Sequence, residues 1–178
     1  MSYLRTPAES PLFDKLAESL GYVPNYAGPF ALAPDAFTVW QGLTAAVKAG
    51  MDERRYELVT VAAARRLRSR YCAVVHTAIL RDKFYDEETL GTIVADPQSA
   101  GLDPGDLAAM EFADRIAADP TVATEADVQA LRDAGLSEQD IFQVVLAVTI
   151  RRFFAGVLDA VGARPDPIYD SLAGTVPS

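Results

Sequence analysis

Apolar residues along this chain recur every three or four positions rather than every second one, which is the period of a helix face and not of a strand. Leu12, Leu16 and Leu20 fall on one face of a segment over 10–20, and Phe37, Trp40, Leu43 and Val47 do the same over 34–48. Between them GYVPN at 21–25 reads as a turn, since Pro24 fixes its own φ and pushes Val23 out of the helical region. Asp52 is placed to cap a helix running to about Leu67, and another runs from about Arg70 to Lys83. Asp86-Glu-Glu opens a short helix with acids in its first turn, and Asp103-Pro104 opens one to about Ala118. Thr124-Glu-Ala-Asp127 and Ser137-Glu-Gln-Asp140 carry the spacing of a capping box. The second launches the most apolar stretch, IFQVVLAVTIRRFFAGVLDAVG, whose apolar positions nearly encircle the helix and are interrupted by Arg151 and Arg152. Such a segment predicts burial by the domain, by a partner subunit, or by both. The pattern predicts an all-α, single-domain helical bundle of about eight helices over 1–178, with a proline-rich tail from Pro165 lying peripherally.

Composition narrows the function more than it changes the fold. Half of the 178 residues are apolar and 23% are charged, the profile of a chain that buries a core. A formal charge of −9 argues against nucleic acid or an anionic membrane as the main partner, because both select basic faces. A single cysteine forms no intramolecular disulfide. With no export-type start in MSYLRTPAESP, a reducing, cytoplasmic setting is the expectation. One Cys and one His leave too few ligands for a structural zinc site within one chain, so no metal is expected. No GxSxG, GxGxxG or GxxxxGK[ST] motif occurs, and no cofactor is expected.

The candidate chemistry lies in SRYCAVVH at 69–76, which holds both the cysteine and the histidine. Four residues apart on a helix, Cys72 and His76 share one face. Ser69 is a candidate N-cap, placing Cys72 in the first turn, where unsatisfied N–H groups and the positive dipole end favour a thiolate. Six arginines between positions 54 and 70 (54, 55, 65, 66, 68 and 70), against the single acid Glu57, add a cationic neighbourhood. A histidine beside such a cysteine can accept its proton or pass one to a leaving group. The same residues also suit a plain core: a lone Cys packs as a small hydrophobe, a lone His as a satisfied core residue, and an arginine run as a solvated helix face.

Glu57, then Ser69, Cys72 and His76, within ELVTVAAARRLRSRYCAVVHTAIL, resembles the core segment of the carboxymuconolactone decarboxylase and alkylhydroperoxidase D-like superfamily. GYVPN, TEADVQALRDAGLS and FFAGVLDAVG are similar to its peroxidase-related branch. The resemblance implies an all-helical domain with its core motif at 52–84, often assembled as a dimer, trimer or hexamer. It further implies a site in which Glu57 orients His76 and His76 activates Cys72. If the chain reverses near Leu67–Ser69, Glu57 lies about 15 Å back along one helix and His76 about 9 Å along the next, an offset a glutamate side chain largely covers. Ser69 stands where the family's peroxidases carry the first cysteine of a C-x-x-C pair, and a serine cannot resolve a sulfenic acid. Tyr71 could supply an auxiliary hydroxyl. The expected function is a thiol-dependent peroxidase-like oxidoreductase using a single cysteine, acting on a small peroxide with an external thiol reductant. The alternatives are a decarboxylase-type lyase or hydrolase using His76 and Glu57 on a small carboxylate or lactone, and a non-catalytic oligomeric scaffold or redox sensor.

Overall fold

A computed structural model describes residues 2–172. Among these residues there are nine α-helices and no strand. In chain order they are α1 (Pro11–Leu20), the single turn α2 (Ala27–Phe30), α3 (Pro34–Ala49), α4 (Glu53–Arg66), α5 (Arg70–Lys83), α6 (Glu87–Ala95), α7 (Pro104–Ala118), α8 (Glu125–Asp133) and α9 (Glu138–Ala160). Three short 3-10 segments at Pro97–Ser99, Pro120–Val122 and Pro167–Leu172 complete the set.

Local chemistry sets most of these boundaries. Ser10, Asp52, Asp86 and Asp103 each accept a hydrogen bond from a backbone N–H in the first turn of the helix they precede. Thr124 with Asp127, and Ser137 with Asp140, form complete capping boxes. α1 ends at Gly21, whose φ of 80° is open to glycine at no steric cost.

α4 is the axis of the fold. It is buried continuously from Tyr56 to Ala64 and packs against α5, α7 and α9. Ala62, Ala63 and Ala64 keep its surface low, so neighbouring helices approach closely. α7 is pinned to its start by a fork on the buried Asp106, which receives Arg54 Nη2 at 2.5 Å and Arg55 Nε at 2.6 Å. Apolar residues of α4, α6, α7 and α9 form one core cluster. A second, aromatic cluster joins α1, α2, α3, α5 and the later part of α9. There Trp40 stacks on Phe154 at 4.1 Å between ring centres, and Phe30 stacks on the same ring at 5.4 Å.

α9 is long and apolar enough to cross a membrane by length and composition, yet half of its most apolar window is buried inside the fold. Leu20 and Leu43 are half-exposed, because α1 and α3 cover the aromatic cluster with one edge and leave the other open. Over its described part the tail lies at the surface, with Pro167, Ile168, Asp170 and Ser171 exposed. Residues 165–172 return against α5, Asp166 and Leu172 are buried, and the 3-10 turn is closed by Tyr169 N donating to the Asp166 carbonyl at 3.0 Å. Residues 173–178 of that tail lie outside the described residues.

Candidate active site

The turn between α4 and α5 builds the site. The Leu67 and Ser69 amides bond back to Ala63 and Ala64, and Arg68 closes the helix with φ 57°, a left-handed conformation uncommon outside glycine. The chain reverses there, and α5 runs back alongside α4. Glu57 and His76 meet as a result: His76 Nδ1 donates to Glu57 Oε2. Lys48, from the end of α3, donates to the other carboxylate oxygen at 2.8 Å. Glu57 is wholly buried, so both of its oxygens require such partners.

The electrostatics follow. Burial by itself would raise the Glu57 carboxyl, but His76 and Lys48 override it and hold the group down to about 2. Burial, with the Arg151 cation, pushes His76 down to about 4 against the pull of Glu57. At neutral pH the pair is therefore a carboxylate and a neutral imidazole. With the Nδ1 proton committed to Glu57, the lone pair of His76 sits on Nε2.

Cys72 is buried in the first turn of α5, and the hydrogen-bond partner of its sulfur is not His76. Arg151 Nη1, from α9, donates to Cys72 Sγ at 3.5 Å. Arg151 is itself 3% exposed and lies against the Phe154 ring at 5.7 Å. Burial works against its charge, but the sulfur and the Tyr56 hydroxyl beside it hold the guanidinium above its ordinary range. This guanidinium supplies the charge expected from the 54–70 arginine run. Arg54 and Arg55 are spent on Asp106, whereas Arg65, Arg66 and Arg68 line a separate open cleft of about 700 Å³ with Arg115 and Asp114.

Ser69 and Tyr71 turn elsewhere. Ser69 occupies the N-cap position, but its side chain makes no cap bond and donates to Asp159 Oδ1 of α9 at 3.2 Å. The Tyr71 hydroxyl donates to Asp166 Oδ2, and Asn25 N donates to Asp166 Oδ1 at 2.7 Å, tying the returning tail to α5. Cys72, His76, Arg151 and Tyr71 all face one cavity of about 410 Å³.

The sequence model of the Carboxymuconolactone decarboxylase family matches residues 34–115, the stretch that contains Lys48, Glu57, Cys72 and His76. Over that stretch, somewhat under half of the chain, the sequence is similar to the carboxymuconolactone decarboxylase family. No curated protein matches it in sequence. Among solved structures, it superposes on an alkylhydroperoxidase AhpD core, an uncharacterised peroxidase-related protein from Ralstonia eutropha JMP134. The TM-score is 0.84 and the identity 24%, covering 99% of this chain and 98% of that one. A peroxidase-related protein from Silicibacter sp. TM1040 gives a TM-score of 0.83 at 22% identity, covering 94% and 93%. A cysteine-to-alanine variant of the debrominase Bmp8, bound to 2,3,4-tribromopyrrole, gives 0.80 at 15% identity, covering 98% and 97%.

Sequence reasoning missed Lys48, Tyr56 and Asp166 as parts of the site. Arg151 had left a signal, a charge on the buried side of the most apolar helix, without saying what it faced. Lys48 and Tyr56 had left none, because each also fits an ordinary helix surface or core position.

Proposed function

We propose that the protein is a thiol-dependent, peroxidase-like oxidoreductase in which Cys72 is the nucleophile and His76 the proton carrier. The observation that carries this reading is the Arg151–Cys72 contact inside the cavity: a buried guanidinium on the sulfur stabilises negative charge there. Cys72 as thiolate attacks an oxygen of a peroxide R–O–OH. The O–O bond breaks, the sulfur is oxidised to a sulfenic acid, and the substrate leaves as the alcohol R–OH. His76 Nε2 accepts the thiol proton and returns it to the leaving oxygen, while Glu57, held by Lys48, keeps Nδ1 protonated and the ring oriented. With Ser69 bonded to Asp159 and no second cysteine in the chain, the sulfenic acid is cleared by an external thiol. One thiol displaces water to form a mixed disulfide, and a second releases the external disulfide and restores Cys72. This reading suits a reducing compartment such as the cytoplasm, and a non-catalytic scaffold would have no use for the buried cation on the sulfur.

A second reading has its own observation. The His76–Glu57 pair is complete without the sulfur, as an acid–base lyase or hydrolase acting on a small carboxylate or lactone would require. A neighbour in fold is a debrominase that binds a tribromopyrrole, so reactions on small rings lie within the fold's range. Initial rates of peroxide loss with excess thiol separate the two. The thiol reading expects Cys72→Ser to abolish turnover and His76→Gln to lower it by about 10²-fold or more. Peroxide turnover that survives Cys72→Ser would overturn it.

A further inference from the structure

The cavity is far larger than a peroxide requires. Hydrogen peroxide occupies no more than about two water volumes, roughly 60 Å³, against about 410 Å³ here. That volume falls within the range of organic ligand sites. Its walls are aromatic, built from Trp40, Phe154, Tyr22, Tyr26 and Tyr169. Flat rings stack on such walls with offset or edge contacts.

Four polar atoms on residues that line the cavity, Trp40 Nε1, Thr44 Oγ1, Tyr56 OH and Arg151 Nε, are shielded from solvent and have no hydrogen-bond partner among the described residues. Tyr56 and Arg151 are 1% and 3% exposed. Arg151 spends Nη1 on Cys72 Sγ and has no carboxylate partner among the described residues. Every one of these groups can donate, and a buried donor left unpaired costs about 1–3 kcal/mol. Most other polar groups of the cavity are already committed: Asp166 to Tyr71 and Asn25, Lys48 to Glu57. A ligand that satisfies these groups brings an oxygen acceptor, and His76 Nε2 and the hydroxyls can receive any proton it carries.

We propose that the organic substrate of this site is a flat aromatic molecule bearing an oxygen acceptor, with its ring against Trp40 and Phe154 and its oxygen on Arg151 Nε and the Tyr56 hydroxyl. The proposal rests on the catalytic reading above and names its substrate class. It places the reacting group beside Cys72, because one guanidinium then touches both the sulfur and the substrate. Arg151 and Tyr56 are binding groups here, and Thr44 and Trp40 offer further donors along the same wall.

Trp40 is the sole tryptophan and forms part of the wall, so its fluorescence reports occupancy without any turnover. Benzoate and benzamide serve as probes, the first anionic and the second neutral, both flat and both carrying the acceptor. Cyclohexanecarboxylate, which is not flat, and toluene, which has no acceptor, serve as controls. The expected result is saturable quenching by benzoate, benzamide or both, at least tenfold tighter than by either control. Tyr56→Phe should weaken it severalfold. The preferred probe then tells whether the substrate's oxygen is charged. Binding no tighter than the controls, or quenching indifferent to Tyr56→Phe, would overturn the proposal. Binding is read by fluorescence and peroxide chemistry by the mass of Cys72 in the wild-type protein, so the two fail separately. Loss of binding with intact Cys72 oxidation removes only the substrate class. Binding without Cys72 oxidation removes the peroxidase reading.

Discussion

Arg151 is the residue on which the site turns. A charge buried in an apolar helix is costly unless it has a partner, and the partner found here is a sulfur rather than a carboxylate. Two consequences follow for Arg151→Met. Alkylation of Cys72 by iodoacetamide should slow by about tenfold, since a hydrogen bond to a charged group contributes about 1.5 kcal/mol or more. Folding should be unharmed or improved, because the change removes a buried cation and strands no carboxylate. Equal alkylation rates in both proteins, measured on folded samples by intact mass, would count against a role for the guanidinium at the sulfur. His76 shows the same economy of partners, with Nδ1 on Glu57 and Nε2 left to act.

At the scale of elements, the fork from Arg54 and Arg55 to the buried Asp106 joins the start of α4 to α7, while both arginine side chains keep contact with solvent. Asp106→Ala removes the acceptor of two charged hydrogen bonds but lets both part-exposed guanidinium groups turn to solvent. It should lower the free energy of urea unfolding by about 2 kcal/mol, the range of a hydrogen bond to a charged group. A loss below about 1 kcal/mol, the range of a solvated pair, would show the fork to be solvated. Helices, caps and the α4–α5 reversal were legible in the sequence, because period, N-cap chemistry and turn residues are local. The meeting of Glu57 and His76 was legible too, since both lie within one hairpin of helices whose rise is fixed. What the sequence concealed was carried by long-range packing. Position 151 reaches position 72 only once α9 crosses α5, and Asp166 reaches Tyr71 only once the tail folds back. The arginine run misled for the same reason: its charge is obvious along the chain, but helical phase sends it to Asp106 and to a remote cleft.

For the whole molecule, buried titrations link stability to pH. The native state keeps His76 neutral down to about 4, while the unfolded chain takes up that proton near the ordinary histidine value. Between those values the unfolded state binds more protons, so stability falls as pH falls across that window. From pH 7 to pH 5 the loss should be on the order of 1–2 kcal/mol, and it should disappear in His76→Gln. Urea titrations at the two pH values measure it, and equal slopes in both proteins would contradict the assignment. Glu57, held down to about 2, adds stability above the ordinary carboxylate value that is lost only as pH falls toward 2. The outer surface carries a separate expectation. Phe142 and Phe153 of α9 share one exposed stripe, and Val39 and Leu43 form another on α3. We propose that these faces self-associate, so sedimentation should give a multiple of the 19.2 kDa chain, and a monomer at micromolar concentration would contradict this.

The central claim is that Cys72 is an activated nucleophile facing a substrate cavity. The most direct measurement is intact-protein mass spectrometry after brief exposure to one equivalent of peroxide, with the modified peptide mapped. The account predicts one added oxygen on Cys72, reversed by excess thiol and formed much more slowly in Arg151→Met and His76→Gln. An unmodified Cys72 thiol in the folded wild-type protein would contradict it.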